Sequence, residues 1–213
     1  MIHLLGVYDY TVLLTEFSLL CAFLGISQVM EEKMLAALGC LVVCGICDAF
    51  DGRIARTKKD RTEEEKNFGI QLDSLCDLVC FGVLPGLIGY KSGVPILIAG
   101  LYCLAAVIRL GYFNVLEWTR QQVEDGCRQS YRGLPVTSAA GLMPLIYLIG
   151  GLWPASMQSL YLSVAICVIG LLFVLDFKLK KPKLKEILLL SAAAGIVFGI
   201  LVLVSMNRGG MIS

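Results

Sequence analysis

Long apolar runs recur along the whole chain, and they constrain its fold more than any other feature. The 213 residues are 57% hydrophobic and only 16% charged, against roughly 25% charged residues in soluble domains. About 20 apolar residues in a helix cross the hydrocarbon core of a bilayer, and only helices or closed barrels satisfy their backbone groups there. The sequence therefore predicts an all-α polytopic membrane bundle with seven spans, at about 11–30, 34–52, 71–90, 94–113, 135–152, 157–176 and 185–206.

The basic residues are distributed unequally between the two sides of this predicted bundle. Lysines and arginines number six in 53–70, four in 109–134 and five in 177–186, which places fifteen on one side. The other side has three, at positions 33, 91 and 208. Positively charged loops stay in the cytoplasm. The sequence therefore predicts a cytoplasmic N-terminus and, after seven spans, a C-terminus outside.

The composition disfavours two function classes. The chain has no basic patch interleaved with aromatic residues, so nucleic-acid binding is not expected. Nine cysteines are present, but eight fall in apolar segments, where cysteine behaves as a small hydrophobic residue. Cys44 and Cys47 form a CxxC sequence in the middle of a predicted helix with no strand before it, which argues against a redox motif.

Four aspartates lie inside or against the second and third apolar segments. Asp48 and Asp51 are three residues apart, and Asp73 and Asp77 are four apart, so each pair shares one helix face. A carboxylate at membrane depth costs roughly 2.5–3.5 kcal/mol on insertion scales. Buried charge of one sign requires a counter-ion, and one or two divalent cations are the simplest. Oxygen ligands without a nearby histidine favour Mg²⁺ or Mn²⁺.

Small residues and one arginine extend the two acidic faces. Gly52, Ala55 and Arg56 follow the first pair, and Gly69 precedes the second. The full pattern, D-x2-D-G-x2-A-R at 48–56 and G-x3-D-x3-D at 69–77, resembles the signature of the CDP-alcohol phosphotransferase family. Twelve residues separate its two halves, where the family pattern has about eight. The extra residues, within KKDRTEEEKN, are expected to form a lengthened surface loop.

Other segments resemble the phosphatidylserine synthase branch of this family. They are FDGRIAR, LDSLCDLVCFGV, IRLGYFNV, YRGLPVTSAAG and the basic FKLKKPKLK. The likeness covers about residues 15–185. It implies that CDP-diacylglycerol and L-serine react to give phosphatidylserine and CMP.

The same resemblance has implications for organisation and location. It implies one membrane-embedded domain over 1–213, with a core at about 11–176 and an extra C-terminal helix at about 185–206. It also implies a homodimer in contact with membrane lipids. A lone catalytic core of this size is typical of prokaryotes, so we expect the inner (cytoplasmic) membrane, with the active site facing the cytoplasm.

Each matched residue takes a role from the family. Asp48, Asp51 and Asp73 would be metal ligands, and Asp77 would reach a second ion and act as general base toward the serine hydroxyl. Arg56 would bind the CDP phosphates. The other residues implied in the CDP-lipid site, which give the nucleotide space beside Asp48, are Gly52, Ala55 and Gly69.

Serine selection requires a cation for the serine carboxylate, and guanidinium groups bind carboxylates with two parallel hydrogen bonds. Arg109 and Arg132 are the candidates, because both fall at cytoplasmic membrane boundaries near the acids. Tyr112, Asn114 and Tyr131 are further candidates. Contact with lipid headgroups is the alternative role for the two arginines.

Two other functions remain open from the sequence. A sibling enzyme of the same family would use glycerol 3-phosphate, inositol phosphate or another alcohol, and Arg109 and Arg132 do not exclude it. A divalent-cation or proton-coupled transporter would also need acids, but near the membrane midplane and often within inverted repeats. Here the acids gather at one face, and the two halves of the sequence show no internal repeat.

Overall fold

Helices make up nearly all of the regular structure. The computed structural model describes residues 6–123, 130–151, 154–180, 192–193, 195–200 and 202–203. In this part of the chain the helices are α1 (Leu13–Met30), α2 (Met34–Ala55), α3 (Glu63–Asp77), α4 (Leu84–Lys91), α5 (Ile96–Val123), α6 (Ala139–Gly150) and α7 (Ala155–Val174). A π-helical segment, Leu78–Val83, joins α3 to α4, and a 3₁₀ turn, Val136–Ser138, precedes α6.

Five helical segments are long and apolar enough to cross a membrane. They are Leu13–Met30, Met34–Ala55, Glu63–Lys91, Ile96–Thr119 and Ser156–Val174. A sixth apolar segment, Val136–Gly150, is shorter. The predicted seventh span, 185–206, lies largely outside the described residues, although 195–200 are helical and the Phe198 ring lies against Gly39 of α2. The predicted all-α polytopic fold is confirmed, and the chain is an integral membrane protein.

The helices separate a packed interior from an apolar exterior. Side chains of every spanning segment meet in one core, including Leu41, Phe81, Leu84, Met143 and Ile166, each essentially buried. Large apolar side chains at helical spacing remain exposed on the outer faces, as at Leu97, Leu101, Leu104 and Ile108 of α5 and at Leu160, Val164, Val168 and Leu171 of α7. Such continuous apolar faces fit a lipid environment.

Close helix contacts use small residues. A Cβ at Gly45 of α2 would lie 2.4 Å from the Cβ of Ala140 on α6, so only glycine permits this approach. The Cys44 thiol donates to the Ser18 carbonyl of α1 at 3.3 Å. These contacts hold α2 between α1 and α6 one turn before Asp48, and so position the start of the acidic face.

Two predicted helix boundaries were wrong, each for a physical reason. The third helix begins at Glu63 rather than near residue 71, because Thr62 and Glu65 form a capping box. Only 56–62 is therefore loop, and EEEKN belongs to the helix instead of the predicted surface loop. The fourth helix continues to Val123 rather than ending near 113, because the residues that follow, NVLEWTRQQV, contain no Gly or Pro that would end it.

The third span changes its helical hydrogen-bond pattern just before its proline. Pro85 has no N–H with which to bond the Phe81 carbonyl four residues earlier. The backbone widens into the π-helical segment, where Leu84 N–H donates to the Val79 carbonyl, five residues back. The freed Phe81 carbonyl accepts a hydrogen bond from the Tyr102 hydroxyl of α5 at 2.7 Å. Tyr102, 2% exposed, thus supplies a donor to a carbonyl that Pro85 cannot bond.

This contact leads to a stability prediction with a matched control. Tyr102→Phe leaves the buried Phe81 carbonyl without its partner and is expected to lower the free energy of unfolding by about 1–3 kcal/mol. Tyr147→Phe should be neutral or stabilising, because the buried Tyr147 hydroxyl has no hydrogen-bond partner among the described residues. Thermal unfolding of both variants in the same detergent measures the difference. Equal destabilisation of the two would contradict the role given to Tyr102.

A two-stranded antiparallel ribbon lies outside the predicted helical pattern. Its strands, β1 (Ser130–Arg132) and β2 (Lys178–Lys180), pair with Tyr131 opposite Leu179. Gly133 follows β1 with φ of +73°, and a Cβ there would lie 2.8 Å from the Leu175 carbonyl. Glycine is therefore required at the point where the chain enters α6 against the end of α7.

Candidate active site

Three aspartates from two helices converge near one end of the bundle. One carboxylate oxygen from each of Asp48 on α2 and Asp73 and Asp77 on α3 lies within 4.8 Å of the others. Asp77 is 8% exposed, and the other two are half-buried. The helical spacing of the acids thus brings the second and third segments together across one seam.

The fourth acid, Asp51, lies beside this group. Its carboxyl group contacts that of Asp73, accepts a hydrogen bond from Thr15 Oγ1 at 3.1 Å and accepts another from Gly52 N–H. Both Asp51 and Thr15 are buried. Helix α1 therefore forms a third side of the site and fixes the orientation of one carboxylate.

The donor set fits a hard divalent cation. Oxygen ligands lie about 2.0–2.1 Å from Mg²⁺, so two ligands on opposite sides of one ion are about 4.2 Å apart. Oxygens already within 4.8 Å of one another need only a small inward movement to share an ion. The group contains carboxylates alone, and the one histidine of the chain is at position 3. A cation would also remove the repulsion between like charges held this close.

The small residues of the signature lie next to guanidinium groups. Arg56, at the C-cap of α2, folds back so that its Nη2 is 3.9 Å from the Cβ position of Gly52. Gly52 is exposed and Ala55 is half-buried. Because Gly52 is four residues after Asp48, this guanidinium lies one helical turn from the carboxylate group.

A comparison with known proteins identifies the family of this chain. The family model described as CDP-alcohol phosphatidyltransferase matches residues 11–206, which include the whole acidic signature. The chain belongs to the CDP-alcohol phosphatidyltransferase family. The resemblance read from the sequence is confirmed.

Individual relatives of this CDP-alcohol phosphatidyltransferase are similar over most of its length. A CDP-diacylglycerol–serine O-phosphatidyltransferase of Helicobacter pylori (strain ATCC 700392 / 26695) is 30% identical over 205 residues, covering 90% of this chain and 82% of that protein. A protein of the same name from Mycobacterium bovis is 29% identical over 182 residues, 79% of this chain and 59% of the relative. Archaetidylserine synthase of Methanothermobacter thermautotrophicus is 28% identical over 162 residues, covering 74% and 64%.

The residues proposed for serine are divided between two places in this CDP-alcohol phosphatidyltransferase. Arg109, only 6% exposed, and Tyr112 line a cavity of about 200 Å³ beside residues 173–176, and Arg109 Nε donates to the Leu134 carbonyl at 3.2 Å. Asn114 instead faces α3, where it accepts from Ser74 Oγ at 2.6 Å. Tyr131 and Arg132 lie in β1, but their side chains fall outside the part of the chain that is described.

Three side chains at the site were not predicted from the sequence. Thr15 binds Asp51, Ser74 binds Asn114, and Arg61 lies over Gly69 with its Nη2 2.6 Å from the Cβ position. A single threonine or serine in an apolar run carries little sequence signal, because such residues often bond only to their own helix. The arginine falls among the twelve residues between the two halves of the signature, so no motif position pointed to it.

The loop that contains Arg61 is anchored by Lys58. Lys58 Nζ donates to Asp9 Oδ2 at 2.8 Å and to Glu65 Oε1 at 3.0 Å, which ties the segment before α1 to the first turn of α3. The hydrogen bond from Lys58 lowers the pKa of Asp9 to about 2. Because this pKa is depressed, the contact stabilises the fold fully above the unfolded pKa near 4 and is lost as pH falls toward 2. The loop is therefore held in place throughout the neutral range.

Proposed function

We propose that the chain transfers the phosphatidyl group of CDP-diacylglycerol to L-serine, giving phosphatidylserine and CMP. The observation that carries this is that the carboxylates of Asp48, Asp73 and Asp77, which are all positions of the family signature, lie close together. Similarity to enzymes named for serine transfer extends over 90% of the chain and supports the choice of acceptor.

The acids would hold one or two Mg²⁺ or Mn²⁺ ions, with Asp48, Asp51 and Asp73 as ligands and Asp77 reaching a second ion. When bound, the metal supplies positive charge that neutralises the diphosphate oxygens and orients the reacting phosphorus. The helices α2 and α3 position the acids, because the acids of each helix lie on one face. Thr15 contributes orientation by holding the Asp51 carboxylate.

The nucleotide would lie against the small residues of the same faces. Gly52, Ala55 and Gly69 would leave space beside Asp48, and the Arg56 guanidinium, which lies near Gly52, would bind the diphosphate. A guanidinium presents two parallel N–H groups to phosphate oxygens. This arrangement holds the CMP portion of the lipid at the surface end of the site while its acyl chains remain in the bilayer.

The reaction exchanges one phosphorus–oxygen bond for another. The serine hydroxyl oxygen attacks the phosphorus that carries the diacylglycerol, and the bond from that phosphorus to the bridging oxygen of CMP breaks. Asp77 accepts the hydroxyl proton as general base, and the electron pair of the broken bond leaves on CMP. A base must lie within hydrogen-bond reach of the proton it takes, which the position of Asp77 among the converging carboxylates would provide.

Serine would be selected by Arg109 and Arg132, with Tyr112, Asn114 and Tyr131 as further contributors. The cavity of about 200 Å³ beside Arg109 has room for a molecule of this size. The cavity also reaches the end of α7, so the acceptor would approach from the same end of the bundle as the nucleotide.

The membrane and assembly of the enzyme are also proposals. The fifteen-to-three distribution of basic residues supports a site that opens to the cytoplasm, in the inner membrane of a prokaryotic cell. There it would meet its lipid substrate and soluble serine. The chain would act as one domain over 1–213 and form a homodimer through its membrane helices, as the family resemblance implies.

The acceptor is tested by following CMP release from CDP-diacylglycerol by the purified protein with Mn²⁺. Serine is expected to be the alcohol that supports turnover, with glycerol 3-phosphate and inositol phosphate giving background rates. Phosphatidylserine is identified among the extracted lipids by mass. CMP release with glycerol 3-phosphate but not with serine would overturn the acceptor assignment, and the family assignment would still stand.

A further inference from the structure

The Arg61 side chain lies over Gly69, a position of the family signature at which glycine leaves the helix face without a side chain. Its Nη2 lies 2.6 Å, and its Cζ 3.7 Å, from the Cβ position of Gly69. Gly69, Asp73 and Asp77 are spaced by four residues and share one face of α3. Gly69, over which the guanidinium lies, is therefore about one helical turn from Asp73 along that helix.

The hydrogen bonds of Arg61 are incomplete. Nη2 donates to the Glu65 carbonyl at 3.0 Å, while the buried Nε–H has no acceptor among the described residues. Arg61 also makes no ion pair within the described part of the chain, whereas Lys58 and Lys66 in the same region pair with glutamates. A buried donor and an uncompensated charge at one guanidinium call for an anionic ligand with oxygen acceptors.

The local backbone holds Arg61 at this position. The next residue, Thr62, is the N-cap of α3, and its Oγ1 accepts from Glu65 N–H at 3.1 Å. The Glu65 carboxylate bonds both Thr62 N–H, at 2.9 Å, and Lys58 Nζ, at 3.0 Å. The backbone is thus fixed on both sides of Arg61. Only the Arg61 side chain has to move to meet a ligand.

From these observations we propose that Arg61 is a second phosphate-binding arginine. Arg61 binds the nucleotide phosphate from the Gly69 side, and Arg56 binds it from the Gly52 side. This rests on the proposed use of a CDP-lipid. When the nucleotide enters, the guanidinium moves off Gly69 and its Nε–H and Nη–H groups bind phosphate oxygens. Arg61 belongs to the longer segment that this chain has between Arg56 and Gly69, and this segment supplies the additional cation.

The test compares CMP with cytidine, which differ only by the phosphate. Binding of each to the purified protein in Mn²⁺ is measured by titration calorimetry for wild type, Arg61→Ala, Arg61→Gln and Lys59→Ala. The glutamine variant retains a donor for the Glu65 carbonyl, so it preserves the local fold if alanine does not. Lys59 is exposed in the same loop, and its removal controls for the loss of one positive charge.

Arg61→Ala and Arg61→Gln are expected to weaken CMP binding about tenfold, equivalent to roughly 1.4 kcal/mol, and to leave cytidine binding unchanged. In turnover assays the same variants should raise the KM for CDP-diacylglycerol and leave the KM for serine unchanged. Lys59→Ala should match wild type.

CMP affinity within twofold of wild type in both Arg61 variants would overturn the proposal. So would equal weakening of CMP and cytidine, because that would indicate contact with the base or a general loss of structure. The binding measurement needs no turnover. A protein that binds CMP in this way but releases none with serine would refute the proposed acceptor and leave the role of Arg61 supported.

Discussion

Asp77→Asn is expected to lower kcat by about 10²–10⁴, the usual contribution of a general base, with the protein still inserted and able to bind CMP. Asparagine keeps the size of the side chain but cannot accept the serine proton. The position is also 8% exposed within a group of three carboxylates, so solvent water has little access to replace it. The measurement is CMP release at saturating serine, CDP-diacylglycerol and Mn²⁺, so that the weaker metal binding also expected of this variant does not lower the rate.

A surface aspartate provides the matched control for this substitution. Asp60 is exposed in the loop between α2 and α3, and Asp60→Asn removes the same charge without touching the converging acids. It should retain wild-type kcat. Full activity in Asp77→Asn would exclude Asp77 as the base, whatever the behaviour of the control.

Removal of divalent ions is expected to abolish turnover. Three carboxylates with oxygens within 4.8 Å of one another would otherwise repel a diphosphate, so chelation should reduce CMP release to background. Mg²⁺ or Mn²⁺ should restore it, because both accept a set of oxygen ligands. The measurement is the rate after chelation and dialysis, followed by titration with each metal.

Two controls accompany the metal titration. Thermal unfolding of the chelated protein should remain cooperative, which separates loss of chemistry from loss of the fold. Zn²⁺ should restore less activity than Mn²⁺, since the described group contains no nitrogen or sulfur ligand. Undiminished turnover in rigorously chelated protein would exclude a metal-dependent reaction at these acids.

The sequence predicted the site because its acids follow helical periodicity. Asp73 and Asp77 on one face, and Asp48 on a neighbouring span, had to converge if the two helices packed along that seam. The apolar run lengths likewise predicted the first six helical segments to within a few residues at most ends. These features depend on local spacing and hydrophobicity, which a sequence displays directly.

Other features depend on contacts between distant residues and could not be read in the same way. The bond from Thr15 to Asp51 crosses from α1 to α2, and the bond from Tyr102 to the Phe81 carbonyl crosses from α5 to the π-helical segment. Pairing of β1 with β2 joins segments almost 50 residues apart, with Tyr131 opposite Leu179. One miss was avoidable, since Thr62-x2-Glu65 is a capping-box sequence that marks the start of α3.

Mn²⁺ binding followed by electron paramagnetic resonance tests most directly whether these acids form a metal site. Purified wild-type protein should remove Mn²⁺ from the free pool in a saturable way. Asp48→Asn, Asp73→Asn and Asp77→Asn should each weaken that binding by about tenfold or more, in line with the loss of a charged ligand, and Asp60→Asn should not. Wild-type Mn²⁺ affinity in all three variants would contradict the account, because the ion would then be held elsewhere or not at all.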